Sequence, residues 1–268
     1  MRGYRRPMAP QLRRRMSQHL AGLGALVNVD TDQPFVAITF ADGPDPASTA
    51  AFLDVLRRTN ARATFFVLAE RALRHPDLMA QIRADGHELG VHGWDHRNLA
   101  TTGPRLPRAA FNYRRELALR ARDVIDPQSR WYRPTFDQHN PAVARAIRAA
   151  GMTPVSWSVS AQDWKPQPAT RIANSVLASV TSGDIVLWHD AIAETRTPAA
   201  FDRSQSLAAL DCVLASLSSS MRFVTLSDLV DSGNPVWRVG AATTRANGDA
   251  PLIQAPIAEP ESYRGLPL

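Results

Sequence analysis

The residues best suited to chemistry in this chain are one carboxylate and two imidazoles. Asp42 stands in an Asp42-Gly43-Pro44 turn directly after an apolar run, and His92 and His96 lie four apart in a stretch that begins Gly86-His87-Glu88. On a helix, a spacing of four puts both rings on one side. Two neutral imidazoles with one carboxylate make a three-ligand set that leaves positions open for water or substrate, the arrangement of catalytic divalent-metal centres. Each piece alone has a plainer reading: Asp and Gly favour turns for backbone reasons, and His-x-x-x-His spacing is often structural. His87 reads as a buried, hydrogen-bonded histidine and not as a ligand. Three further groups stand at the ends of apolar runs: Tyr132-Arg133-Pro134, Gln162-Asp163-Trp164, and Trp188-His189-Asp190. A histidine so placed suits a general acid near neutral pH, and an aspartate can hold it in its protonated form.

Elements must carry these residues to one place. Apolar strand-like runs at 35–40, 64–68, 87–91, 154–159, 185–188 and 223–225, with a short one ending at 132–133, alternate with helical patterns: one capped by Ser48 or Thr49 and carrying Phe52, Val55 and Leu56, and others near 76–84, 108–124, 141–150, 170–180 and 204–219. Strands each followed by a helix predict an α/β fold with a parallel sheet. Short strands of this kind predict a distorted (β/α) barrel of about seven strands, whose functional loops gather at the strands' C-terminal ends.

The chain divides into a basic arm (1–33), a central domain (34–233) and a polar tail rich in Pro, Ala and Gly (234–268), expected to be loosely ordered. Net charge is +6. Six arginines (Arg2, Arg5, Arg6, Arg13, Arg14, Arg15) precede the first acidic residue, Asp30, and account for all of it. The balanced remainder argues against an extended nucleic-acid-binding face. The apolar stretch 20–27 reads as an accessory helix, with weak contact to an anionic membrane surface through residues 1–29 as an expectation. It is short, holds two glycines and reaches no clear cleavage site, so no signal peptide is read and a cytoplasmic or membrane-surface location is expected. Cys212 is the sole cysteine, which excludes a disulfide framework and a Cys-based metal site and suits a packed helical position.

In order, these motifs resemble the polysaccharide deacetylase family (the NodB homology domain, carbohydrate esterase family four). The family pattern runs Thr-Phe-Asp-Asp-Gly-Pro, Gly-His-Glu-Ile-Gly with His-Ser/Thr-x-x-His, Arg-Pro-Pro-Tyr/Phe-Gly, Asp-Trp, then an apolar strand ending Leu-x-His. The resemblance spans about residues 35–230. It implies a metal-dependent N-deacetylase acting on an N-acetylated sugar or glycan. Asp42, His92 and His96 would hold the divalent metal, Zn²⁺ first, with Co²⁺, Ni²⁺ or Mn²⁺ also accommodated. His189 resembles the acid that protonates the departing amine, Asp163 its charge partner, and Arg133 a further catalytic residue. Trp164 and Pro134 resemble walls of the sugar groove.

One position departs from the pattern. Where the family has its proton-accepting aspartate, this chain has Ala41, and alanine takes no proton. Arg133, which would pair with that aspartate, loses its partner, and the Arg-Pro-Pro segment becomes Arg133-Pro134-Thr135-Phe136-Asp137. Three readings follow: an enzyme weakened or rerouted through Asp137 or His139, a sugar-binding protein that keeps the pocket without turnover, or an engineered base-knockout form of an active deacetylase.

Overall fold

The structure, a computed structural model, describes residues 23–239. Ten strands are described: β1 (Ala25–Asp30), β2 (Phe35–Ala41), β3 (Ala63–Leu68), β4 (Glu88–Gly93), β5 (Trp131–Tyr132), β6 (Thr153–Pro154), β7 (Val159–Ser160), β8 (Ile185–His189), β9 (Arg222–Phe223) and β10 (Asn234–Arg238). The α-helices are α1 (Thr49–Arg58), α2 (Ala69–Arg74), α3 (Pro76–Ala84), α4 (Pro107–Ile125), α5 (Pro141–Ala149), α6 (Ala169–Leu177), α7 (Ser204–Leu217) and α8 (Leu226–Asp231).

Seven strands run parallel in the order β6-β5-β4-β3-β2-β8-β7, and β9 pairs with the start of β2. They form a curled half-barrel with helices packed outside it, as the alternation of apolar runs and helical patterns requires. Successive strand side chains point to opposite faces. Val36, Ile38 and Phe40 of β2, Phe65 and Val67 of β3, and Val186 and Trp188 of β8 therefore join the helix-side core with Phe52, Leu53 and Leu210. The intervening Ala37, Phe66 and Ile185 join a second cluster with Leu26, Trp131 and Val155. Ala41 and His189 belong to this second set of positions and pair directly in register where the two strands end.

Three expectations need correction. The run 154–159 is not one strand. Its first end pairs with β5 and its last with β8, so one extended segment joins the two edges of the sheet. Of the apolar stretch 20–27, residues 25–27 belong to β1, while the start of the expected accessory helix lies outside the described residues. The polar tail begins inside structure, because β10 pairs antiparallel with β1 through Ala25↔Arg238 to Asp30↔Asn234. Asn28 Nδ2 donates to Asp184 Oδ1 at 2.7 Å, and Ser156 N to Leu26 O at 2.8 Å, which anchors the ribbon to the barrel. Residues 25–30 and 234–238 thus belong to the fold, and the basic residues of the arm lie outside the described residues. Among the described residues no helix is long and apolar enough to cross a membrane.

Candidate active site

Asp42 follows β2 immediately, with a left-handed backbone (φ 75°) that aims its carboxylate across the mouth of the sheet. Gly43 follows for lack of room, since a Cβ there would lie 2.1 Å from Asp190 Oδ2. His92 belongs to β4 and His96 to the turn after it, so the histidine pair is not helical as its spacing suggested. The chain reverses at Gly93 (φ 122°), a backbone open to glycine, and brings the two rings to 5.5 Å between centroids.

Asp42 Oδ1 lies 3.2 Å from His92 Nε2 and 3.4 Å from His96 Nε2. A cation with bonds of ~2.1 Å to tetrahedrally placed ligands would have ligand atoms separated by about 3.4 Å. Asp42 Oδ1 is buried with no hydrogen-bond partner among the described residues, while Oδ2 accepts from Ala193 N at 2.8 Å. His92 Nδ1 meets the Arg133 carbonyl oxygen at 2.7 Å, so it carries the proton and leaves the Nε2 lone pair toward Asp42. Burial alone would push the Asp42 carboxyl up, but the imidazoles of His92, His189 and His96 facing it outweigh this and hold it well below the usual range. Burial depresses His92, which favours the neutral, ligating imidazole. The donor set, its orphaned oxygen and its spacing fit a divalent ion.

His189 ends β8 opposite this cluster. Its Nδ1 sits 2.9 Å from Asp163 Oδ1, and its backbone N donates to Asp163 Oδ2 at 3.0 Å. Asp163 is 2% exposed and also accepts from Ser206 Oγ at 2.8 Å and from Arg203 Nη2. Burial raises its carboxyl, and the charges of His189 and Arg203 more than reverse this, leaving it lowered. The arrangement fixes the ring and sets a buried carboxylate against its Nδ1.

Arg133 is 1% exposed. Its Nη2 donates to Thr39 Oγ1 at 2.7 Å and Ser156 O at 3.3 Å, and its guanidinium rests 4.1 Å from the Phe66 ring centre. Nε and Nη1 have no hydrogen-bond partner among the described residues. Burial pulls this arginine down to about 9, against the opposing charge of Asp137.

Asp42, His92, His96, Arg133 and His189 line one cavity of about 540 Å³, together with Ala41, Pro134, Phe136, Asp137, Trp157, Trp164 and Glu194. Trp164 stands edge-on to His189 at 5.6 Å, and Phe136, half exposed, edge-on to His96 at 4.3 Å. His139 is not among the lining residues; its Nδ1 lies 3.1 Å from Asp137 Oδ1, behind the wall.

The sequence pattern of the polysaccharide deacetylase family matches residues 28–155. A peptidoglycan-N-acetylglucosamine deacetylase from Bacillus cereus is 34% identical over 214 residues, covering 75% of this chain and 91% of that protein. The chain belongs to the polysaccharide deacetylase family. A chitooligosaccharide deacetylase from Azorhizobium caulinodans is 30% identical over 203 residues, covering 74% of this chain and 94% of its own. The crystal structure of the Bc1960 peptidoglycan N-acetylglucosamine deacetylase superposes with a TM-score of 0.65 at 28% identity, over 78% of this chain and 93% of that one.

In this deacetylase-family chain Asp42, His92, His96, Arg133, Pro134, Trp164 and His189 border the cavity, whereas Asp163 reaches it through His189 and His139 stays behind it. Sequence reasoning missed Arg203 and Ser206 under Asp163, Trp157 beside Arg133, and Glu194, whose Oε1 lies 3.5 Å from His96 Nδ1. Arg203 precedes α7 and has no local signal in a chain whose basic residues are nearly all arginine.

Proposed function

We infer that this chain is a metal-dependent N-deacetylase of an N-acetylglucosamine-containing glycan, with turnover weakened by Ala41. The observation that carries the reading is Asp42 Oδ1, buried without a hydrogen bond and facing two Nε2 atoms. The two named relatives, one a deacetylase of peptidoglycan N-acetylglucosamine and the other of chitooligosaccharides, have N-acetylated glucosamine in common as substrate chemistry.

Asp42, His92 and His96 would hold the ion, Zn²⁺ by donor type, with Co²⁺, Ni²⁺ and Mn²⁺ accepted by the same set. A divalent ion there supplies Lewis-acid polarisation of the amide carbonyl. Trp164 and Phe136 give the sugar two apolar faces to lie against. His189, held by Asp163 through Nδ1, presents Nε2 to the cavity and passes its proton to the departing nitrogen.

The other proton, taken from the attacking water, has no acceptor at position 41. Asp137 borders the cavity, but its Oδ1 is engaged by Ser156 Oγ at 2.7 Å and faces His139 Nδ1 at 3.1 Å. A general base contributes about 10²–10⁴-fold, so the deficit is expected to be of that size. A second reading, a sugar-binding protein without turnover, is favoured by Ala41 itself.

The test is acetate release from N-acetylglucosamine oligomers by metal-loaded protein, beside the Ala41→Asp and Asp137→Asn variants. Turnover by the parent, rising about 10²–10⁴-fold in Ala41→Asp, supports the enzyme. Activity unaltered in Asp137→Asn removes rerouting through that residue. If parent and Ala41→Asp both bind oligomers and metal without releasing acetate, the sugar-binding reading replaces the enzyme.

A further inference from the structure

A buried cation is ordinarily matched by an anion, because an unpaired charge taken out of water is strongly destabilising. Arg133 breaks that rule. Two of its three nitrogens, Nε and Nη1, are buried with no hydrogen-bond partner among the described residues. The acceptors it does have, Thr39 Oγ1 and Ser156 O, are uncharged. Asp137 acts on it electrostatically without hydrogen-bonding either of those nitrogens. Phe66 at 4.1 Å and Trp157 at 5.7 Å hold the guanidinium plane, so the free donors point in a fixed direction.

Ala41 and Arg133 border the same cavity. The Ala41 side chain stops at its methyl group, two residues along β2 from the Thr39 hydroxyl that Arg133 Nη2 reaches. A planar guanidinium with two free N–H directions suits a carboxylate, and removal from water strengthens the pairing.

We propose that Arg133 and the space beside Ala41 form a receptor for a small carboxylate, supplied as a free monocarboxylic acid or as an acidic group on the glycan. Formate is the size match, because an alanine methyl plus formate occupies about what one aspartate side chain does. The receptor deepens the deacetylase reading and rests on it only for its role in turnover. There the bound carboxylate accepts the proton of the attacking water while the water oxygen bonds to the amide carbon. The C–N bond then breaks, the nitrogen takes a proton from His189, and the carboxylate's proton passes through solvent back to His189. Amide and water give acetic acid and amine, and both the carboxylate and His189 are regenerated.

Binding is measured first on metal-free protein, so that the acid cannot act by ligating an ion. Thermal unfolding is followed at constant ionic strength as chloride is replaced by formate or acetate. A second series compares a carboxylate-bearing oligosaccharide with its methyl ester. The expected result is a Tm rise of about 2–6 °C at ten times the Kd with at least one source, absent in Ala41→Asp and Ala41→Val, which fill the space with and without charge. No rise with either source, or a rise that persists in both variants, overturns the receptor. In metal-loaded protein, formate is expected to accelerate acetate release by about tenfold or more, part of a general base's worth, in the parent and not in Ala41→Asp. A Tm rise with no turnover in any form, Ala41→Asp included, upholds the receptor and removes the deacetylase reading.

Discussion

Asp163 receives five groups at once: His189 through its ring and its backbone N–H, Ser206 Oγ, and both terminal nitrogens of Arg203, one on the carboxylate and one on the backbone oxygen. Asp163→Asn keeps the shape and one acceptor oxygen but removes the charge. The amide's NH₂ must then face either His189 or Arg203, both of which donate. Arg203 is 6% exposed and its charge would lose its only ion-pair partner among the described residues. Breaking a buried pair from one side costs about 3–5 kcal/mol, which for a domain of this size lowers Tm by roughly 10 °C. In steady-state assays on N-acetylglucosamine oligomers, kcat is expected to fall about 10²–10⁴-fold with KM little changed, because the loss falls on proton transfer and not on sugar binding. Differential scanning calorimetry of the metal-free forms isolates the stability effect. A loss below about 1 kcal/mol, the scale of an exposed pair, would refute the idea that this carboxylate is the charge on which His189 and Arg203 depend.

Three further outcomes are expected. His87, whose Nδ1 accepts from Ala63 N at 3.2 Å, is pushed by burial down to about 4. The unfolded chain therefore takes up a proton near pH 6.5 that the native chain refuses, so stability is full above that pH and falls as pH drops toward 4. His87→Asn, which keeps an acceptor, should reduce the difference in denaturant-measured stability between pH 7 and pH 4 by up to about 3 kcal/mol; an unchanged difference would contradict the neutral, buried imidazole. Gly183→Ala places a Cβ 1.9 Å from Val29 O at φ 87°, so a loss of about 1–3 kcal/mol in urea unfolding is expected, and a variant as stable as the parent would show that β1 can move away. Trp164→Ala should raise KM for longer oligomers while leaving metal content unchanged, as measured by elemental analysis; an unaltered KM would remove this ring from the sugar groove.

What could be read from sequence was local, and what could not was assembled across distance. The run of β2, the stop of α3 at Gly86 and the Pro-led starts of α4 and α5 each follow from neighbouring residues. The ordered motifs singled out Asp42, His92 and His96, which the fold brings together, though a strand end and a glycine reversal, and not a helix, converge the two histidines. Ala41 marks a departure from the family pattern, but only packing reveals that Arg133 stays buried with two nitrogens lacking a hydrogen-bond partner among the described residues. Arg203 crosses 40 residues to reach Asp163, and segment 153–160 changes sheet partner midway. Neither event leaves a periodic trace.

The ribbon of β1 and β10 has a consequence for biogenesis. Its first strand leaves the ribosome some 200 residues before its partner, a wait on the order of 10–40 s at ordinary elongation rates. Throughout that interval Leu26 and Val29, fully buried in the finished molecule, have one flank uncovered. The nascent barrel is thus a vessel whose clasp is cut last, and its vulnerability to proteases and to stray strand pairing is set by the speed of translation.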